Sequence, residues 1–152
     1  MQLFRAPSGV LETPDGWQDA STYIVISTAD MSFKPSVVVT MTQGVMDPYL
    51  KRHVDIQVAE MQQKLAGFSL VQRSEPYQTA HGPAVALEFR WTSPEAGTML
   101  HQYQTYLLAG QTLYTLTGTA TEMQWTTVQA ALSDIIRSFR PQLWHPVTGL
   151  SH

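Results

Sequence analysis

Apolar and polar positions along this chain of 152 residues follow two periods, and the switches between them mark the elements. Runs rich in β-branched residues predict strands over 10–13, 20–27 and 36–42. The first two are separated by a Pro14-Asp15-Gly16 turn, where Pro presets φ and Gly takes conformations that other residues avoid. Four more strands are predicted over 70–77, 84–91, 98–109 and 111–121, with a loop at Ala80-His81-Gly82-Pro83 and a turn at Gly110. The last two should form a long hairpin.

Two segments carry the helical period instead. Asp47-Pro48 supplies an N-cap followed by Pro at the first helical position, and the helix should run to about Ala66 and stop at Gly67. Thr121-Glu122-Met123-Gln124 is a capping-box pattern, and Val128, Leu132, Ile135, Ile136 and Phe139 follow at helical spacing. The order predicts one α+β domain over 1–141, an antiparallel sheet of about six or seven strands with two helices, followed by a loosely ordered tail over 142–152.

Composition narrows what such a domain does. Charged residues make up 14% and hydrophobic residues 43%, against a usual charged share of about 25%. Much of the surface is therefore uncharged, as expected of a protein that keeps part of it against a partner. A net charge of −3, without any Lys/Arg cluster, argues against nucleic-acid binding. The count of zero cysteines excludes disulfides and thiol chemistry and suits a reducing compartment. Met1-Gln2-Leu3-Phe4-Arg5 opens no signal-peptide core, and no apolar run is long enough to span a bilayer, so a soluble cytoplasmic protein is expected.

Catalytic signatures are missing. The sequence has no G-x-S-x-G, H-E-x-x-H, G-x-x-x-x-G-K or G-x-G-x-x-G. The five histidines stand singly, and His81-Gly82-Pro83 reads as a turn. Asp15 and Asp19 fit a turn and a local cap. The expectation is a protein that is not an enzyme, with no cofactor and no metal.

Two patterns point to binding. On the first helix Gln57, Leu50, Met61, Val54, Leu65 and Val58 fall in that order on one arc of roughly 100°. This is either a core stripe with Gln57 at its border or an apolar platform with an amide at its rim. On the strand over 98–109, Leu100, Gln102, Gln104, Tyr106 and Leu108 share one face, which could equally be a solvated patch. In 20–27, Ile24 and Ile26 point one way and Tyr23 and Val25 the other, so both faces want cover. Two helices are too few to cover everything. The inference is an open apolar groove edged by glutamines, whose amides donate and accept without burying a charge.

A resemblance sharpens this reading. Leu3-Phe4-Arg5, then Leu11-Glu12-x-Pro14-Asp15-x-Trp17-Gln18-Asp19-x-Ser21, resembles the opening of the Eag chaperones of bacterial type VI secretion, within the DcrB-related group of PsbP-like fold. Leu65-Ala66-Gly67-Phe68, His81-Gly82-Pro83-Ala84, Met99-Leu100-His101-Gln102 and Phe139-Arg140-Pro141 extend the likeness over most of 1–141. The resemblance implies a homodimer that cradles the N-terminal transmembrane segments of an effector of the PAAR or Rhs class. It would keep them soluble and aid loading on the secretion spike. Carried over by position, it implies client contacts at Ile24, Val38, Gln57, Met61, Leu65, Gln102 and Leu113, joined by Leu100 and Gln104 on the shared strand face. Thr22, Thr98 and the ending Val39-Thr40-Met41-Thr42 depart from the group's pattern. The alternative is a DcrB-like structural or assembly domain without a helix-binding cup.

Overall fold

The computed structural model describes the backbone of residues 2–6 and 9–13, and residues 22–29 and 32–141 with their side chains. β1 (Gln2–Ala6) and β2 (Gly9–Thr13) form an antiparallel hairpin. The main sheet comprises β3 (Thr22–Ile26), β4 (Ser36–Thr42), β5 (Ser69–Arg73), β6 (Tyr77–Thr79), β7 (Gly82–Ser93), β8 (Thr98–Ala109) and β9 (Thr112–Thr121). Two helices, α1 (Leu50–Lys64) and α2 (Trp125–Arg137), pack on it. Strand order is β3-β4-β9-β8-β7-β5, with β6 also on β7, and every pairing is antiparallel. This is the α+β arrangement the periodicity predicts, with the long hairpin at β8–β9.

Its departures from expectation have local causes. The strand expected over 70–77 is two strands, because Pro76 has no N–H to give a ladder. Ser74 holds the break to β7: its N–H donates to Ala86 O, and its Oγ accepts the Ala86 N–H at 2.9 Å. β1 lies in a segment where no strand was expected. At the first helix, Asp47 Oδ1 accepts the Tyr49 N–H at 2.9 Å, and the helix begins only at Leu50. Its end comes at Lys64 rather than Ala66, and Gly67, at φ 64°, turns the chain toward β5. The expected Pro14-Asp15-Gly16 turn and the tail over 142–152 lie outside the described residues.

Both reciprocal bonds of the capping-box pattern form, but they close a turn over 121–124 ahead of α2, which begins at Trp125. Thr121 Oγ1 accepts the Gln124 N–H at 3.2 Å, and Gln124 Oε1 accepts the Thr121 N–H at 3.1 Å. A polar cluster fastens the same corner. Glu122 Oε2 lies 2.7 Å from His101 Nδ1, Glu88 Oε2 lies 3.0 Å from His101 Nε2, and Arg90 reaches Glu122 Oε1. The imidazole stacks on Trp125 with ring centroids 3.9 Å apart.

Each helix covers only part of its sheet face. α1 lies over β7 and β8, where Leu50, Val54 and Val58 pack against Val85, Leu87, Phe89, Tyr106 and Leu108. On the opposite face α2 lies over β9 and β4 and the margin of β8, with Leu132 and Ile136 against Val37, Leu116 and Ala120. Gly118 permits that approach, since a Cβ there would sit 3.3 Å from Leu132 Cβ. The two helices cover diagonal areas, so among the described residues each face keeps a half that no helix covers.

Candidate functional site

On the α1 face the uncovered half consists of β9, β4 and β3. Register lines up its side chains in rows across the strands. One row runs Leu87, Gln104, Thr117, Val38, Ile24; the next runs Phe89, Gln102, Thr119, Ser36, Ile26. Each row starts in the core, crosses an amide and a hydroxyl, and ends on an aliphatic residue at the sheet edge. The outer end is open: Ile24 is 59% and Ile26 53% exposed.

The polar middle is held in place. Trp91 Nε1 donates to Gln102 Oε1 at 2.6 Å, and Gln102 Nε2 donates to Thr119 Oγ1 at 2.8 Å. The Tyr106 hydroxyl donates to Gln104 Oε1 at 2.5 Å, and Gln104 Nε2 donates to Thr117 Oγ1 at 3.1 Å. Burial pushes the Tyr106 phenol well above its ordinary value, against a smaller opposing pull from Arg73, which keeps it a donor. An amide has two N–H groups and two acceptor lone pairs, and these bonds commit one of each.

The residues singled out from the sequence fall at different depths. Ile24, Val38, Gln102 and Gln104 share this face, Ile24 exposed and the other three half-buried. The two glutamines lie on its floor rather than along its edge. Gln57 is exposed on α1. Asp55, about 200° around the helix, pairs with Arg73 of β5 at 2.6 Å, so the Gln57 flank is turned toward the open half. Met61, Leu65 and Leu113 are half-buried against the α1 core, and Leu100 is 6% exposed. These four line the base more than they meet solvent.

Reading the sequence missed the partners of the amides. The alternation Thr115, Thr117, Thr119, Thr121 carries a period-two signal that places the hydroxyls on one face, but the Trp91 contact depends on the register between the consecutive strands β7 and β8. The His101 cluster was missed because Glu88, His101 and Glu122 stand far apart in sequence. Among the described residues no three His, Cys, Asp or Glu side chains are grouped to hold a metal ion.

The uncovered half of the α2 face differs. It holds a cleft of about 240 Å³ lined by Tyr77, Thr79, Tyr103, Thr105, Ile136 and Phe139 among others. Burial raises the Tyr77 phenol from its ordinary value. The cleft falls below the roughly 300–1,000 Å³ usual for small-molecule sites. Its lining mixes aromatic and polar side chains with Ala84, Leu107, Leu116 and Ile136, all of them buried, so it lacks the exposed aliphatic border found on the α1 face.

Comparison with known proteins agrees with this architecture. A crystal structure of PA94 from Pseudomonas aeruginosa, described as a protein of unknown function and putative regulator, superposes with a TM-score of 0.80. It shares 24% identity, over 94% of this chain and 98% of that one. The solution structure of cyanobacterial PsbP from Synechocystis superposes at 0.55 with 15% identity, over 87% and 99% of the two chains. Both likenesses concern the fold, which is PsbP-like. No functionally curated protein matches the chain. Among the described residues no helix is long and apolar enough to cross a membrane. The DcrB family model matches residues 8–138, and the chain belongs to the DcrB family.

Proposed function

We propose that this protein is a cytoplasmic, non-enzymatic chaperone of the Eag type. It would hold the N-terminal transmembrane helices of a type VI secretion effector, of the PAAR or Rhs class, against the open half of the α1 face and aid their loading on the secretion spike. The observation that carries the reading is the row structure of that face, an aliphatic rim at Ile24, Ile26 and Val38 around a floor of Gln102, Gln104, Thr117 and Thr119. A transmembrane helix in water exposes a long apolar surface. Its burial yields about 25 cal/mol per Å² before ordering costs. Interfaces between membrane helices also use small and hydroxyl-bearing residues that hydrogen-bond across, and the positioned amides offer such contacts. Three uncovered strands at about 4.8 Å spacing give a strip about 14 Å wide, matched to one helix of about 10–12 Å.

Co-expression with an effector fragment carrying those N-terminal helices tests the reading. The expected result is a soluble complex by pull-down and light scattering, with the fragment aggregating when this chain is left out. A fragment that behaves the same in both cases contradicts it. The second reading is a DcrB-like assembly domain without a helix-binding cup. It draws on the fact that the floor amides are already bonded to Trp91, Thr119, Tyr106 and Thr117. That same outcome of the experiment would favour it.

A further inference from the structure

The cleft on the α2 face joins an apolar floor to a set of polar groups. Ala84 sits between Tyr77 on β6 and Leu107 on β8, and its small side chain leaves a depression whose floor Leu107 and Leu116 complete. All three floor residues are buried. Tyr77 stands on the β6 side. Ile136 and Phe139 stand opposite, where α2 ends, and the Phe139 ring is held against Tyr114 with centroids 5.1 Å apart. The polar groups are hydroxyls, an imidazole and a guanidinium. The Thr79 hydroxyl is used in the turn into β7, where it donates to Gly82 O at 2.7 Å and accepts the His81 N–H at 3.1 Å. The hydroxyls of Tyr77, Tyr103, Thr105 and Ser133 line the cleft as well. Burial raises the Tyr77 phenol, Tyr103 adds to the rise, and a hydrogen bond with Thr105 opposes it, so the phenol keeps its proton and can donate. Among the described residues no carboxylate lines the cleft, whereas Arg137 and His81 do. Arg137 pairs with Asp134 at 2.6 Å, with both side chains largely exposed. A surface pair of this kind holds its partners weakly, so the guanidinium is available to a second carboxylate.

We propose that this cleft binds a small aromatic monocarboxylate. The ring lies on the floor of Ala84, Leu107 and Leu116 between Tyr77 and Phe139, where offset or edge-on aromatic contacts are favourable. The carboxylate accepts hydrogen bonds from the Arg137 guanidinium and the Tyr77 hydroxyl, a charge-assisted arrangement suited to arginine. One guanidinium among neutral donors matches a single negative charge better than the two of a phosphate. The 240 Å³ of the cleft is about the volume that eight waters take up in the liquid, room for one ring with a short acid arm. A ligand of that size also explains why the cleft is smaller than most small-molecule sites. This site lies on the face opposite the proposed client strip and does not depend on the chaperone reading.

The test titrates the isotope-labelled full chain with phenylacetate and with phenylacetamide, its neutral isostere, and follows the backbone amide resonances. Phenylacetate should saturate, with the largest shifts around Thr105, Ser133 and Phe139, and should bind roughly tenfold tighter than the amide. Arg137→Gln changes an exposed position and should bring the two affinities to within about twofold of each other by weakening the acid alone. Tyr77→Ala removes one wall of the cleft and should weaken both probes, by roughly fivefold or more. An absence of saturable phenylacetate binding overturns the proposal, and so do equal affinities for the two probes in the parent chain. Shifts centred on the α1 face, or an unchanged preference for the acid in Arg137→Gln, overturn it equally. None of these results bears on client binding, which the co-expression experiment judges separately.

Discussion

One row of side chains across the α1 face joins two regions with opposite duties. At its inner end Leu87 is fully buried beneath α1, and at its outer end Ile24 is 59% exposed. Between them stand Gln104 and Thr117, paired to each other. The inner region spends its apolar surface on holding the domain together. In the outer region apolar surface is displayed at a rim, and a bonded polar floor separates it from the core. That separation lets the rim stay apolar without the face collapsing onto α1, and it makes stability and binding respond to different residues.

The comparison breaks most visibly through the core. Phe89→Ala empties a fully buried site and should cost about 3–5 kcal/mol, read as a lower denaturant midpoint. A smaller loss would mean that α1 relaxes into the space and that the covered half is less rigid than described. Gln102→Ala attacks the boundary. It leaves the half-buried Trp91 indole N–H and the hydroxyl of buried Thr119 without this partner, at about 1–3 kcal/mol, and should weaken client binding as well.

Tyr106→Phe removes one hydrogen bond to Gln104, about 1 kcal/mol, and changes the response to alkali. In the folded protein burial raises this phenol above the 10.0 of an exposed tyrosine. The folded state therefore keeps the proton more tightly than the unfolded chain. Its stabilising contribution is complete below pH 10 and is lost as pH rises through the raised value. Stability against pH, measured by urea unfolding, should fall less steeply above pH 10 in the variant. Tyr77 and Tyr114, also raised by burial, account for the slope that remains. The smallest effect on stability is expected from Ile24→Asp at the exposed rim, within about 0.5 kcal/mol. The same change should abolish solubilisation of the client fragment. A large loss of stability there would place the rim in the core and undo the division.

Much of this architecture was legible in the sequence. Alternation along 98–109 put Leu100, Gln102, Gln104, Tyr106 and Leu108 on one face, and all five lie on the same face of the sheet, Tyr106 and Leu108 packed in the α1 core. The capping box at Thr121 and Gln124 formed with both its bonds. Apolar residues on both faces of 20–27 signalled missing cover, and β3 stays exposed. Local patterns carry such information because side-chain direction follows backbone period. What distant pairing and register decide was not legible. The depth of Leu100 and Leu113 and the His101 cluster depend on which elements become neighbours, and the Trp91–Gln102 bond depends on the register between β7 and β8. Nor does helical spacing say how far α1 reaches across the sheet, and that extent separates core from open floor.

The most direct measurement is a thiol footprint of the effector fragment's complex with two single-cysteine variants. Thr117→Cys lies in the open half of the α1 face, and Thr105→Cys lines the cleft on the α2 face. Each is labelled with and without the co-expressed fragment. The account predicts that the fragment slows labelling at 117 by at least tenfold and leaves 105 unchanged. Protection at 105 with 117 still reactive would contradict it and move the client to the other face.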